Sequence, residues 1–291
     1  MGGGPVAALG LSTAAVWGAA DFSGGLAAKR AAPALVVAVA HGFSLILLFL
    51  AASLLHTAVL GYGLDGLVSG VFCGGGLIAL YSALSRGSMG LSAAVSGVLT
   101  AVVPVLYSWF REGRETPIRL AGFAVAVLAI WLIAYTPEQK TDGQPRPRPR
   151  GLGLAVVAGL CFGAMLVFMH FAAAHGALPA LVAMRITSTS VAVLFGVAAW
   201  LSRKRTHSAV PGFPLGKALM LAMLAGVLDT SGNLLYLLAS GVGRLDIPAV
   251  LSSLYPAGTM VLAAWLLRER AARSQVLGMV LALAAVVLIV I

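Results

Sequence analysis

Long apolar runs recur along this chain and limit what it can fold into. Ten times, a segment of about 20 mostly apolar residues is followed by a short connection. A helix of that length, rising about 1.5 Å per residue, crosses the hydrocarbon core of a bilayer, which is about 30 Å thick. Charged residues make up only 10% of the chain, against roughly 25% in soluble domains. We therefore predict an all-α membrane protein with ten transmembrane helices, over residues 5–28, 33–55, 66–86, 91–110, 116–136, 151–174, 179–201, 216–241, 246–267 and 271–291.

The basic residues lie mainly between these apolar segments. The net charge is +10, but short Lys and Arg clusters beside membrane spans act as orientation signals and headgroup contacts. We therefore expect a lipid bilayer as partner and no nucleic acid. Cys73 and Cys161 are isolated inside apolar segments, which indicates core residues and predicts no disulfide, metal or cofactor. The N-terminus shows no cleavable signal sequence, so we expect the first span to be retained.

A polar linker divides the chain into two halves. Residues 137–150 are rich in proline and arginine and contain no apolar run, so they can neither span a membrane nor pack a core. We predict a first five-helix repeat over residues 1–136 and a second over residues 151–291.

The two halves also share ordered sequence matches, at offsets that drift between 146 and 156 residues. Because five is an odd number of spans, the second copy must enter the membrane from the opposite side. This predicts an inverted repeat, which in secondary transporters places a binding site near the membrane midplane. The matched residues are Pro33 to Val36 with Pro179 to Val182, Tyr81 with Tyr236, Pro104 with Pro256, and Gly122 with Gly278.

A polar stripe interrupts the eighth apolar segment. Asp229, Asn233 and Tyr236 stand at positions i, i+4 and i+7, so a helix carries them on one face. An acid inside an apolar span usually faces a cavity or a partner because its burial costs several kcal/mol. The stripe is therefore either a binding surface or a packing device in which Asp229 pairs with a basic side chain.

Other polar groups inside the spans are further candidates. Trp17 and Asp21 share a face of the first segment, and Asp21 either belongs to the site or pairs with basic residues just beyond the span. His41 and Arg185 are the remaining buried candidates. Arg185 is either the counter-ion of Asp229 or Asp21, or an anchor for an anionic substrate group.

Two prolines inside apolar segments add a second kind of polar group. Pro104 and Pro256 each remove the helical hydrogen bond to the carbonyl four residues earlier, at Thr100 and Ser252. We expect helix kinks at both prolines. A freed carbonyl in lipid needs a partner, so we predict that Thr100, Ser252 and the neighbouring Tyr255 line a central cavity, although a simple kink would also fit.

These motifs resemble those of EamA-type members of the drug/metabolite transporter superfamily, over nearly the whole chain. The resemblance implies a single-chain secondary transporter with a central cavity that moves small metabolites, often outward. The residues that carry it are Trp17 and Gly18, Val103 to Leu106, Phe162 and Gly163, Asp229 and Thr230 with Asn233 and Tyr236, Ser253 to Pro256, and Leu267 to Arg270.

The orientation of the termini stays open. Loops after odd-numbered segments hold 14 of the Lys and Arg residues, and loops after even-numbered segments hold 4. The positive-inside rule therefore places both termini outside, whereas the family resemblance implies that both lie in the cytoplasm. We favour the family orientation, and a reporter fused after Ile291 that works only in the cytoplasm distinguishes the two.

The sequence thus predicts a non-enzymatic exporter of small, amino-acid-like or amphipathic compounds in the plasma membrane, acting by alternating access and coupled to protons through Asp229. A Walker loop, which ATP-driven transport would require, is absent from the sequence. The alternatives are uptake or exchange of an anion centred on Arg185, and a membrane scaffold that transports nothing. We expect a monomer or homodimer. The predicted substrate-binding residues are Trp17, Asp21, Thr100, Arg185, Asp229, Asn233, Tyr236, Ser252 and Tyr255.

Overall fold

The computed structural model describes residues 3–59, 63–86, 89–112, 116–134, 151–202, 215–241, 245–266 and 273–290. This part of the chain is helical and contains no strand, which confirms the predicted all-α class. Helices of the first half are α1 (Gly3–Ala28), α2 (Pro33–Leu54), α3 (Leu64–Arg86), α4 (Met89–Glu112) and α5 (Pro117–Ala134). Helices of the second half are α6 (Leu152–Ala172), α7 (Ala177–Leu201), α8 (Leu215–Ser240), α9 (Asp246–Ser252), α10 (Tyr255–Leu266) and α11 (Arg273–Val290).

Six of the described helices are long and apolar enough to cross a membrane: α1, α2, α3, α6 with its terminal 3₁₀ turn, α7 and α8. Shorter apolar stretches cover Val95–Arg111 in α4 and Leu120–Ala129 in α5. Since the backbone hydrogen bonds of a helix are satisfied internally, apolar runs of this length are stable in lipid only in this form. The chain is therefore a multi-pass membrane protein. The count of ten spans stays a prediction, and the linker and the Leu267 to Arg270 motif lie outside the described residues.

The two intramembrane prolines lie in different settings, and the expectation of a kinked helix is corrected at Pro256. Pro104 lies inside α4, which continues through it. Near Pro256 the predicted ninth segment is instead two helices, with Ser253 and Leu254 forming the turn between α9 and α10. Pro256 is the second residue of α10, where the missing N–H costs nothing because the first turn of a helix has no partner for it.

Helices of the first half pack mainly against helices of the second half. Helix α1 packs against α8 and α10, α3 against α6 and α7, α2 against α7 and α8, and α5 against α11. Glycine permits the closest of these contacts. A Cβ atom at Gly18 would lie 2.7 Å from the carbonyl oxygen of Tyr255 and 2.8 Å from the Cα of Gly258, so α1 and α10 touch through their backbones.

Candidate functional site

A small cavity with a free volume of about 20 Å³, room for about one water molecule, lies between the two halves. Its wall is built by α1, α3 and α4 from the first half and by α6, α8 and α10 from the second. Small-molecule sites in proteins are typically concave and mostly apolar, with a few polar groups, and this cavity would have to widen to admit a metabolite. The lining residues are Trp17, Asp21, Cys73, Leu77, Thr100, Phe162, Met165, Asp229 and Tyr255.

Asp229 is held by a buried ion pair at the edge of this cavity. Arg185, on α7, donates from Nη2 to Asp229 Oδ2 at 2.5 Å, and its Nε donates to Thr230 Oγ1 at 3.0 Å. The side chain of Asp229 is 13% exposed, whereas that of Arg185 is fully buried. Of the roles predicted for Arg185, the structure therefore shows the counter-ion of Asp229, placed behind the cavity wall.

The other end of the guanidinium faces His41 and Cys73. Arg185 Nη1 lies 3.0 Å from His41 Nε2 and 3.7 Å from Cys73 Sγ. Since arginine can only donate, Nε2 is the acceptor and His41 is the neutral tautomer that carries its proton on Nδ1. That Nδ1 atom is buried without a hydrogen-bond partner.

This arrangement does not fit a metal ion. Ligand atoms of His41, Cys73 and Asp229 all lie within 4.8 Å of one another, a grouping that could in principle hold one. However, the positive guanidinium of Arg185 contacts all three of these side chains. A metal cation would have to displace that charge.

Asn233 and Tyr236 lie behind the cavity wall and hold Trp17. The amide of Asn233 donates to Asp229 Oδ2 at 3.2 Å and accepts the indole N–H of Trp17 at 3.1 Å. Tyr236 stacks on Trp17 with ring centroids 6.0 Å apart and donates to the Leu166 carbonyl at 3.2 Å. Both residues are fully buried, so in this conformation they position a lining residue and do not themselves reach the cavity.

Asp21 faces the cavity without a counter-charge. It follows Trp17 by four residues on α1 and is 6% exposed. No described residue forms a hydrogen bond or ion pair with Asp21, and the charged side chain that acts on it electrostatically is Asp229, of the same sign. The predicted alternative, a pair with basic residues beyond the end of α1, does not occur among the described residues.

The hydroxyl groups predicted around the prolines divide into two sets. Thr100 and Tyr255 line the cavity, and both are tied to Ser96: Tyr255 donates to Ser96 Oγ at 2.9 Å and Thr100 to the Ser96 carbonyl at 2.8 Å. Ser252 is fully buried and donates to the Ala249 carbonyl at 3.1 Å. It is not among the lining residues, because the break after α9 interrupts the stripe that would have joined it to Tyr255.

Four lining residues were not predicted from the sequence: Cys73, Leu77, Phe162 and Met165. Apolar side chains of these types occur throughout the chain, so nothing in their identity distinguished a cavity wall from a lipid-facing or core position. Phe162 stands beside Gly163 in a motif noted above, which was the only available signal.

Comparison with known proteins agrees with this architecture. Residues 149–291 match the EamA-like transporter family. A solved crystal structure of a protein aligns over 97% of this chain and 95% of its own, with a TM-score of 0.72 and 16% sequence identity, which shows a shared fold. No curated protein is significantly similar to the chain in sequence.

Proposed function

The chain belongs to the EamA-like transporter family through its second half, residues 149–291, and from this we propose that it is a secondary transporter exporting small amine-bearing or amphipathic metabolites across the plasma membrane. The observation that carries the proposal is the central cavity, to which each half contributes three helices and one carboxylate. Such a cavity can open to either side when the halves rock against each other.

The packing pattern supports ten spans arranged as two inverted repeats. The contact of α1 with α8 is matched by that of α6 with α3, and the contact of α1 with α10 by that of α6 with α4. A glycine lies at the contact of α1 with α10 and at the contact of α6 with α4. A Cβ atom at Gly163 of α6 would lie 2.6 Å from Val103 Cβ of α4. In the same way, a Cβ atom at Gly18 of α1 would lie too close to the backbone of α10. Equivalent helices of the two halves thus make equivalent contacts.

The chemistry of the cavity favours a cationic substrate with an apolar part. Two carboxyl groups, those of Asp21 and Asp229, line the space, whereas the guanidinium of Arg185 is fully buried behind it. Trp17 and Tyr255 add aromatic surface that attracts a cation through the ring quadrupole. The remaining wall is largely apolar, which suits a hydrocarbon or aromatic tail.

Asp229 is the proposed proton-coupling residue. Arg185 holds it in the described conformation, so proton uptake at Asp229 would accompany a conformation in which the pair separates. Coupling that separation to the opening of the cavity would link proton entry to substrate release.

The anion-exchange alternative draws no support from this arrangement. Arg185 is fully buried and already contacts Asp229, Thr230 and His41. An anion would have to displace Asp229 to reach it.

Transport currents from proteoliposomes on a solid-supported membrane test the proposal. The panel comprises amino acids, organic cations and organic acids under an imposed pH gradient. We expect currents with amine-bearing compounds that Asp229→Asn abolishes. Asp65→Asn, at the start of α3 and outside the cavity, is the matched acid control and should leave the currents unchanged. Well-folded protein without substrate-dependent current or counterflow would instead indicate the scaffold alternative.

A further inference from the structure

The two cavity acids differ in how far they are already neutralised. Asp229 accepts hydrogen bonds from Arg185 and Asn233. Asp21 has none of these partners among the described residues. Ionising a carboxyl group that lacks a partner away from bulk water is costly. Asp21, and not the already paired Asp229, is therefore the acid that gains a counter-charge when a cation enters the cavity.

Taking Asp229 as the substrate's partner would also leave Arg185 without a counter-ion. Arg185 is fully buried on α7 and is not among the residues that line the cavity. Breaking a buried pair leaves an uncompensated charge, which is strongly unfavourable. A substrate cation at Asp229 therefore carries a penalty that a cation at Asp21 does not.

The surroundings of Asp21 match one class of ligand. Trp17 lies one turn before Asp21 on the same face of α1, and Tyr255 lines the cavity from α10. Leu77, Phe162 and Met165 add apolar side chains to the lining. Carboxylate, aromatic rings and apolar wall together suit an ammonium group on a short aromatic or aliphatic tail.

We propose that Asp21 is the residue that binds the substrate's ammonium group, while the Asp229–Arg185 pair stabilises the neighbouring part of the cavity wall, on α8. The inference rests on the proposed transport function and names the substrate class and its binding residue. The stripe in the eighth apolar segment pointed to Asp229 as the residue that binds a substrate charge, and this proposal assigns that role to Asp21 instead.

Binding measured by calorimetry on purified protein in detergent at pH 7 tests this assignment without requiring transport. The probes are phenethylammonium, its neutral analogue 3-phenylpropan-1-ol and the anion 3-phenylpropionate. We expect the wild type and Asp65→Asn to bind the ammonium probe at least tenfold more tightly than the neutral and anionic probes. Equal binding of all three would overturn the proposal.

Variants then distinguish the two acids. Asp21→Asn should weaken ammonium binding at least tenfold. Asp229→Asn should also weaken binding, because it leaves Arg185 as an uncompensated positive charge. Adding Arg185→Gln to Asp229→Asn should recover at least tenfold of that loss. Wild-type affinity in Asp21→Asn, or no recovery in the double variant, would place the cation at Asp229 instead.

Two further results keep the outcome decisive. If Asp21→Asn fails to fold, modification of wild-type Asp21 by an apolar carbodiimide, located by mass spectrometry, replaces it. Protection by phenethylammonium supports the proposal, and unprotected modification contradicts it. Ammonium binding without current would refute transport but leave the Asp21 site standing, whereas current that survives in Asp21→Asn would refute the site and leave transport standing.

Discussion

The buried pair between Arg185 and Asp229 predicts an unequal response to its two single substitutions. The closest atoms of the pair are 2.5 Å apart, and at an effective dielectric constant of about 20 their attraction is about 6–7 kcal/mol. Desolvation of both groups offsets much of this, and removing one partner of a buried pair typically costs about 3–5 kcal/mol. Asp229→Asn should lower the free energy of unfolding by about that much, because the guanidinium of Arg185 is fully buried and would be left without a counter-ion or solvation by water.

Arg185→Gln should be milder, at about 1–3 kcal/mol. The side chain of Asp229 is 13% exposed to the cavity and keeps the hydrogen bond from Asn233, so its charge remains partly compensated. The double variant should be at least about 2 kcal/mol more stable than the sum of the single effects predicts. Unfolding by SDS in mixed micelles, followed by tryptophan fluorescence, measures all four proteins. Additive effects, or a larger loss for Arg185→Gln, would refute this reasoning.

Two further predictions concern the packing around the cavity. Gly18→Ala should destabilise the protein by about 1–3 kcal/mol, because the new Cβ would stand 2.7 Å from the Tyr255 carbonyl. Gly75→Ala is the control, because its Cβ would meet nothing within 4 Å, and it should be neutral or stabilising by up to about 1 kcal/mol. Equal losses of stability in the two variants would contradict the close contact of α1 with α10. Trp17→Phe should lower the free energy of unfolding by about 1–2 kcal/mol, because the buried Asn233 Oδ1 loses its hydrogen-bond donor. An unchanged midpoint in the SDS titration would contradict this prediction.

The helical architecture was predictable because lipid leaves the backbone little choice. An apolar run of about 20 residues satisfies its hydrogen bonds as a helix, so the approximate helix positions followed from composition alone. Periodicity also gave the faces: Asp229 and Asn233, four residues apart, do share a hydrogen bond. Periodicity does not predict whether a residue on that face reaches the cavity. Tyr236, on the same face, lies behind Trp17 and outside the cavity lining.

The partners of the charged groups could not be predicted, since they depend on how helices distant in sequence come together. Arg185 was compatible with either acid, and only the packing of α7 beside α8 brings it to Asp229 and leaves Asp21 unpaired. Ser252 was misplaced for a local reason. A continuous helix was assumed, whereas the chain breaks at Ser253 and Leu254, so positions on either side of the break do not share one face.

The central claim is that the cavity opens alternately to the two sides of the membrane, and the accessibility of Thr100 tests it most directly. A Thr100→Cys variant, in a background with Cys73→Ser and Cys161→Ser, places one thiol in the cavity wall. A charged, membrane-impermeant thiol reagent is then applied to right-side-out and inside-out vesicles. The account predicts labelling from both sides, slowed by phenethylammonium. Labelling from one side only, or from neither, would contradict alternating access.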